Sequence, residues 1–198
     1  MLKTSSVAVI ILAAGASRRM GRPKQLLSYN GQSLLKYITK CAIASLCNLV
    51  IVVLGANAEK IEPEIASLPI KIIKNDQWNQ GISSSISCGI NYIQQQYSNL
   101  DGVVFLTCDQ PFVSAELIKQ LIDAHHSTKK PIIASQYGET LGIPALFSRN
   151  FFPALIKLQG DRGAKKIINQ HRDLVSVIDF PQGSIDLDTL ENYQQFIQ

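Results

Sequence analysis

Short apolar runs rich in β-branched residues recur along the chain, and stretches of helix length separate them. Residues 7–12 (VAVIIL) predict a first strand, 49–54 (LVIVVL) a second, 70–73 a third and 102–106 (GVVFL) a fourth. Residues 131–134 predict a weaker fifth strand and 174–178 a sixth. Such runs are continuous rather than alternating, so both faces of each strand are expected to be buried, as in a mostly parallel sheet. Between them, residues 33–46 place Leu34, Leu35, Ile38, Cys41, Ala42 and Leu46 at helical spacing. Further helices are predicted over 59–67, 83–96, 114–125, 163–170 and 188–197. The alternation gives an α/β fold with right-handed crossovers. No repeat, low-complexity tract or linker divides the chain, and its 198 residues predict a single domain over 1–198.

Ligands of open sheets of this class sit beyond the carboxyl ends of the strands. The first strand runs into Ala13-Ala14-Gly15-Ala16-Ser17-Arg18-Arg19-Met20-Gly21-Arg22-Pro23-Lys24. Small residues there let a ligand approach backbone N–H groups, and Arg18 and Lys24 add fixed positive charge suited to phosphate oxygens. The spacing is not that of a Walker A loop, because five residues separate Gly15 from Gly21 and Lys24 is displaced. A Gly-x-Gly-x-x-Gly fingerprint is absent, which disfavours a nicotinamide-dependent dehydrogenase. By itself the segment also reads as a strand-to-helix turn with solvated arginines.

The fourth strand leads into Thr107-Cys108-Asp109-Gln110-Pro111. A carboxylate at a buried strand's end is positioned by the sheet, so Asp109 suits Mg²⁺, although Asp also caps turns before a proline. A second acidic pair, Asp186 and Asp188, lies near the C-terminus, where Asp188 with Glu191 also reads as a capping box. The three serines at 83–85 read equally as helix-opening residues. The Gly160–Gly163 string reads as a tight turn with a surface ion pair or, with Arg162 beside a helix N-terminus, as an anion site.

The 12–27 segment closely resembles the signature of the MobA-like nucleotidyltransferases, and the double alanine before Gly15 is similar to the molybdenum cofactor cytidylyltransferase branch. Elements similar to the family's follow in order as far as Thr189, although Leu190 stands where a proline is usual. The resemblance implies a Rossmann-like, nucleotide-diphospho-sugar-transferase type of sheet flanked by helices. It implies that Lys24, Arg18 and Asp109 carry catalysis. Ala13, Ala14, Gly15, Arg18, Lys24, Gly81 and Ser85 would hold the nucleotide, and Asp109, Asp186 and Asp188 would hold Mg²⁺. Gly142, Pro144, Gly160, Asp161 and Arg162 would face the acceptor. The implied reaction transfers CMP from CTP to the terminal phosphate of Mo-molybdopterin, and the product's destination would be a molybdoenzyme of the xanthine dehydrogenase type or its chaperone. Use of GTP, transfer to another acceptor such as a sugar phosphate, or a non-catalytic cofactor carrier are the alternatives.

Composition narrows the partners. The net charge of +4 is dispersed apart from the cluster at 18–24, which suits a small anion better than nucleic acid. The four cysteines match no metal spacing and are expected to be buried, reduced thiols, as in a reducing compartment. The three histidines have no ligand spacing and are expected at surfaces or helix ends. No leader is read before the first strand and no apolar run approaches a membrane span, so a soluble cytoplasmic protein is expected.

Overall fold

In a computed structural model that describes residues 6–197, seven strands form one sheet in the order β5-β4-β1-β6-β8-β7-β9. These are β1 (Val7–Ala13), β4 (Leu49–Leu54), β5 (Lys71–Lys74), β6 (Gly102–Thr107), β7 (Ile132–Tyr137), β8 (Thr140–Ser148) and β9 (Val175–Asp179). A separate small ladder pairs β2 (Ser28–Tyr29) with β3 (Gln32–Ser33). The helices are α1 (Leu34–Ala44), α2 (Ala58–Ile61), α3 (Ile82–Gln96), α4 (Ala115–Thr128), α5 (Phe152–Ile156), α6 (Lys165–Gln170) and α7 (Leu190–Phe196).

The continuous apolar runs are explained by burial on both faces. On β1, Val7, Val9 and Ile11 join the core beneath α1, α4 and α7, with Ile38, Ile118 and Tyr193. Ala8, Ile10 and Leu12 point the other way, into a second core with Ile86 and Ile90 of α3 and Ile168 of α6. Ser33 and Ser114 accept hydrogen bonds from the Lys36 and Leu117 N–H groups and so start α1 and α4.

Strand β8 departs from the predicted pattern. It runs antiparallel to both β6 and β7, and a two-residue turn at Gly138-Glu139 joins it to β7. Gly142 and Pro144 obscured it, because proline and glycine inside an apolar run argue against a central strand. The ladder absorbs them in an irregularity opposite Ala134 and Ser135, where the Ser135 hydroxyl donates to the Pro144 carbonyl at 2.6 Å. Helix α5 was not anticipated either. The capping alternative for Asp188 does not hold, since Thr189 is the N-cap of α7 and accepts from Asn192 N–H. The Asp188 carboxylate is drawn away by two cations instead.

The cysteines are free thiols, with Cys108 buried and the others half-buried. Burial, and then the neighbouring Asp109 carboxylate, push the Cys108 thiol up to about 12, so it remains protonated. Among the described residues no helix is long and apolar enough to cross a membrane.

The β6–β8 seam is fixed by Phe105 and Phe147, fully buried with ring centroids 6.0 Å apart. Phe147→Ala should destabilise the protein by about 3–5 kcal/mol, measured by urea denaturation.

Candidate active site

The loop after β1 is shaped by buried hydrogen bonds that its sequence does not advertise. Ser17 takes a left-handed conformation (φ 53°), and a short 3₁₀ turn, Arg18–Met20, ends at Gly21 (φ 70°). The Lys24 N–H then donates back to the Ser17 hydroxyl at 3.0 Å. Gln25, fully buried, donates through Nε2 to the carbonyls of Ala13 at 2.8 Å and Gly15 at 3.0 Å. These bonds fold the loop over the end of β1 and turn Gly15, Arg18 and Lys24 to one cleft.

Lys24 is the electrostatic centre of that cleft. Its Nζ lies 2.7 Å from an Asp109 carboxylate oxygen and 2.7 Å from one of Asp188. Arg19 reaches the other Asp188 oxygen at 2.8 Å. Burial alone would lower the Lys24 pKa, but Asp109, aided by Asp188, outweighs it and holds the ammonium above its ordinary range. Burial likewise acts to raise Asp188, yet Lys24 and Arg19 hold it below the usual carboxylate value. Among the described residues no cation stands in salt-bridge contact with Asp186: burial, and then Asp109 and Asp188, outweigh the more distant Lys24 and push it up to about 6.

The carboxylates come together because their backbones are tied. The Leu187 N–H donates to the Asp109 carbonyl at 2.9 Å, between the two aspartates of the C-terminal segment. Gln110, nearly fully buried, donates to the carbonyls of Ile143 at 3.2 Å and Gly183 at 3.0 Å. The sheet's end thus carries Asp109, and Gln110 fastens the segment bearing Asp186 and Asp188 beside it.

Three carboxylates next to the loop that bears Arg18 and Lys24 are a donor set suited to a hard divalent cation. Among the described residues no ready-made cluster of three acidic, histidine or cysteine ligands stands at coordination spacing. Lys24 bridges Asp109 and Asp188, and it has to release them for a cation to share both.

The opposite wall of the cleft, which encloses about 400 Å³, is formed by Trp78, Asn79, Gly81, Ile82, Ser85 and Asp161. Asn75, buried at the end of β5, donates to the hydroxyls of Ser84 at 2.9 Å and Ser85 at 3.0 Å and fixes the first turn of α3. Gly55 lets Trp78 pack against Ala14, since a Cβ there would lie 2.6 Å from the Trp78 Cβ. Gly81 (φ 95°) is pressed against Gly160, whose carbonyl accepts from Ser83 N–H at 3.2 Å. A Cβ on Gly81 would fall 2.4 Å from that oxygen, so a close approach of protein backbone requires glycine here.

The residues expected to face an acceptor divide. Asp161 lines the same cleft as Lys24, whereas Gly142 lines an adjoining apolar slot of about 180 Å³ with Tyr137, Ile143 and Lys165. Leu12 and Ile82 border both cavities. Pro144 is buried in the sheet beyond Gly142, and Gly160 and Arg162 are exposed and border neither of these two spaces. The sequence reading assigned no role to Gln25, Asn75, Gln110 or Tyr137. Gln25 and Gln110 each directly follow a charged candidate, Lys24 and Asp109, which was the only available signal.

A family model described as the MobA-like NTP transferase domain matches residues 9–175. Nicotine blue oxidoreductase of Paenarthrobacter nicotinovorans is 30% identical over 95% of both chains. A probable molybdenum cofactor guanylyltransferase of Natranaerobius thermophilus is 31% identical over 66% of this chain and 60% of its own. Among solved structures, Rv0371c of Mycobacterium tuberculosis H37Rv superposes with a TM-score of 0.83 at 26% identity, covering 98% of this chain and 99% of its own. The same protein in complex with manganese gives 0.78 at 26% identity, covering 96% and 97%.

Gln25→Leu should leave two loop carbonyls without their partner and cost about 1–3 kcal/mol of stability, read by thermal or urea unfolding.

Proposed function

This chain belongs to the MobA-like NTP transferase family, and on that footing we propose that it transfers CMP from CTP to the terminal phosphate of Mo-molybdopterin, releasing pyrophosphate. The observation that carries the reading is Lys24 standing between Asp109 and Asp188 at the mouth of a loop of open backbone. That arrangement holds a cation for phosphate oxygens and carboxylates for a metal at one point. The double alanine before Gly15 supports the cytidylyl branch, and the molybdenum cofactor guanylyltransferase among the relatives supports the molybdopterin acceptor.

In this reading the Gly15 segment and Arg18 hold the triphosphate, while Lys24 moves from its carboxylate partners to the phosphates. A phosphate nucleophile is already ionised, so no side chain need remove a proton. The chain supplies alignment of the attacking oxygen with the α-phosphorus and neutralisation of the charge on departing pyrophosphate. Asp109, with Asp186 and Asp188, would hold Mg²⁺, which supplies further neutralisation of phosphate charge. The apolar slot beside Gly142 and Tyr137 is the acceptor's side of the site.

The relative named as an oxidoreductase favours a second reading, redox chemistry on the same fold. It predicts oxidation or reduction of a small-molecule substrate in the absence of CTP, which a spectrophotometric assay detects.

Pyrophosphate release with CTP, GTP, UTP or ATP, in the presence and absence of Mo-molybdopterin, tests the proposal. Release confined to CTP plus the acceptor is expected, and Lys24→Ala or Asp109→Ala should each lower kcat on the order of 10²–10³-fold. A preference for GTP would keep the chemistry and reject cytidylyl transfer, and silence with every triphosphate would sink both. Because Lys24 neutralises the carboxylates that a metal would use, nucleotide-free Lys24→Met should bind Mn²⁺ on the order of tenfold more tightly than the parent. Electron paramagnetic resonance of free Mn²⁺ measures this, and unchanged affinity would remove Lys24 as the metal's competitor.

A further inference from the structure

The two walls of the cleft differ in charge, the wall that bears Lys24 also carrying its counter-ion Asp109. Arg18 and Lys24 stand on the wall formed by the loop after β1, and among the described residues the facing wall holds no cation but includes the Asp161 carboxylate. Asp161 stands at the exposed mouth of the cleft, and its Oδ1 approaches the backbone of Gly81 so closely that a Cβ on that glycine would lie 2.7 Å away. Its loop is held there by the Ser83 N–H bond to Gly160 and by Arg162 N–H donating to the Gln159 carbonyl at 3.4 Å. The backbone that carries Asp161 is therefore fixed beside Gly81, with the carboxylate itself exposed at the cleft.

An ionised carboxylate only accepts hydrogen bonds, and it repels phosphate. A triphosphate drawn to Arg18 and Lys24 consequently leaves the Asp161 wall to the uncharged end of the nucleotide. There a carboxylate is matched by an amino group and mismatched by a carbonyl oxygen. We infer that Asp161 reads the base, accepting from an exocyclic amino group and so selecting cytosine over uracil, which presents a carbonyl at the same ring position. Ser85 complements it: Asn75 donates to the Ser85 oxygen, which leaves the hydroxyl's own proton to be given to an acceptor on the ligand. The inference rests on the reading of this cleft as a nucleoside triphosphate site, and it moves Asp161 from the acceptor to the nucleotide.

The sole tryptophan of the chain, Trp78, lines the same cleft and gives a binding signal independent of turnover. CTP and UTP are titrated with Mg²⁺ into the parent, Asp161→Asn and Asp161→Ala, with Trp78 fluorescence and calorimetry as readouts. The parent should prefer CTP on the order of 10- to 100-fold, the scale of one hydrogen bond to a charged group. Both variants should bring the two affinities to within a few-fold, and Asp161→Asn should do so while retaining or improving UTP binding. Equal affinity for CTP and UTP in the parent, an unchanged ratio in the variants, or equal weakening of both nucleotides would overturn the role of Asp161 and leave the nucleotide site standing. If no triphosphate binds the parent, the nucleotide reading falls and the inference falls with it.

Discussion

The ion triad of Lys24, Asp109 and Asp188 is the constraint on which the site depends. It joins three distant parts of the chain: the loop after β1, the end of the central strand β6 and the segment before α7. Lys24 and Asp109 are each only 17% exposed, so neither could be held there as an isolated charge at acceptable cost. The pairing makes the cluster tolerable, and the backbone bonds of Gln25, Gln110 and Leu187 keep its members from drifting apart. Removing a bond of that framework would disturb an electrostatic balance as well as a contact.

The same constraint organises the cleft around it. One wall is a loop that hydrogen-bonds to itself through Ser17 and Gln25, and the other is the first turn of α3 fixed by Asn75. Gly81 presses that turn against the Gly160–Arg162 loop, so the α3 wall of the cleft and that loop are one mechanical unit. Motion of the loop must therefore be felt along the opening of α3. The apolar slot beside Tyr137 is continuous with this unit through Ile82.

Much of this was legible in the sequence. The β-branched runs marked β1, β4 and β6, and their carboxyl ends marked Lys24 and Asp109 as members of one site. The structure sets the segment bearing Asp186 and Asp188 beside Asp109, and Asp188 shares Lys24 with it. What was not legible was whatever depended on contacts between remote residues. Pro144 concealed an antiparallel strand because the irregularity that accommodates it lies across the ladder. Asp188 looked like a helix cap because its competing partners, Lys24 and Arg19, are far away in sequence. Gln25 and Gln110 are ordinary polar residues until their burial is known, and Gly81, which lines the cleft, also packs against a protein carbonyl that its own neighbourhood in sequence does not show.

The bond from Leu187 to Asp109 also has a consequence for the order in which the molecule matures during synthesis. The sheet from β5 to β6, with the whole loop bearing Lys24, is encoded well before residues 186–188. A nascent chain can thus fold the half that bears Arg18 and Lys24 while the acidic set is still incomplete. Lys24 then has Asp109 alone as its counter-ion until the last acidic segment leaves the ribosome. Assembly of the charged centre is in this way a late step of folding, and a fragment that lacks residues 186–188 would carry the Lys24 loop without the complete carboxylate set.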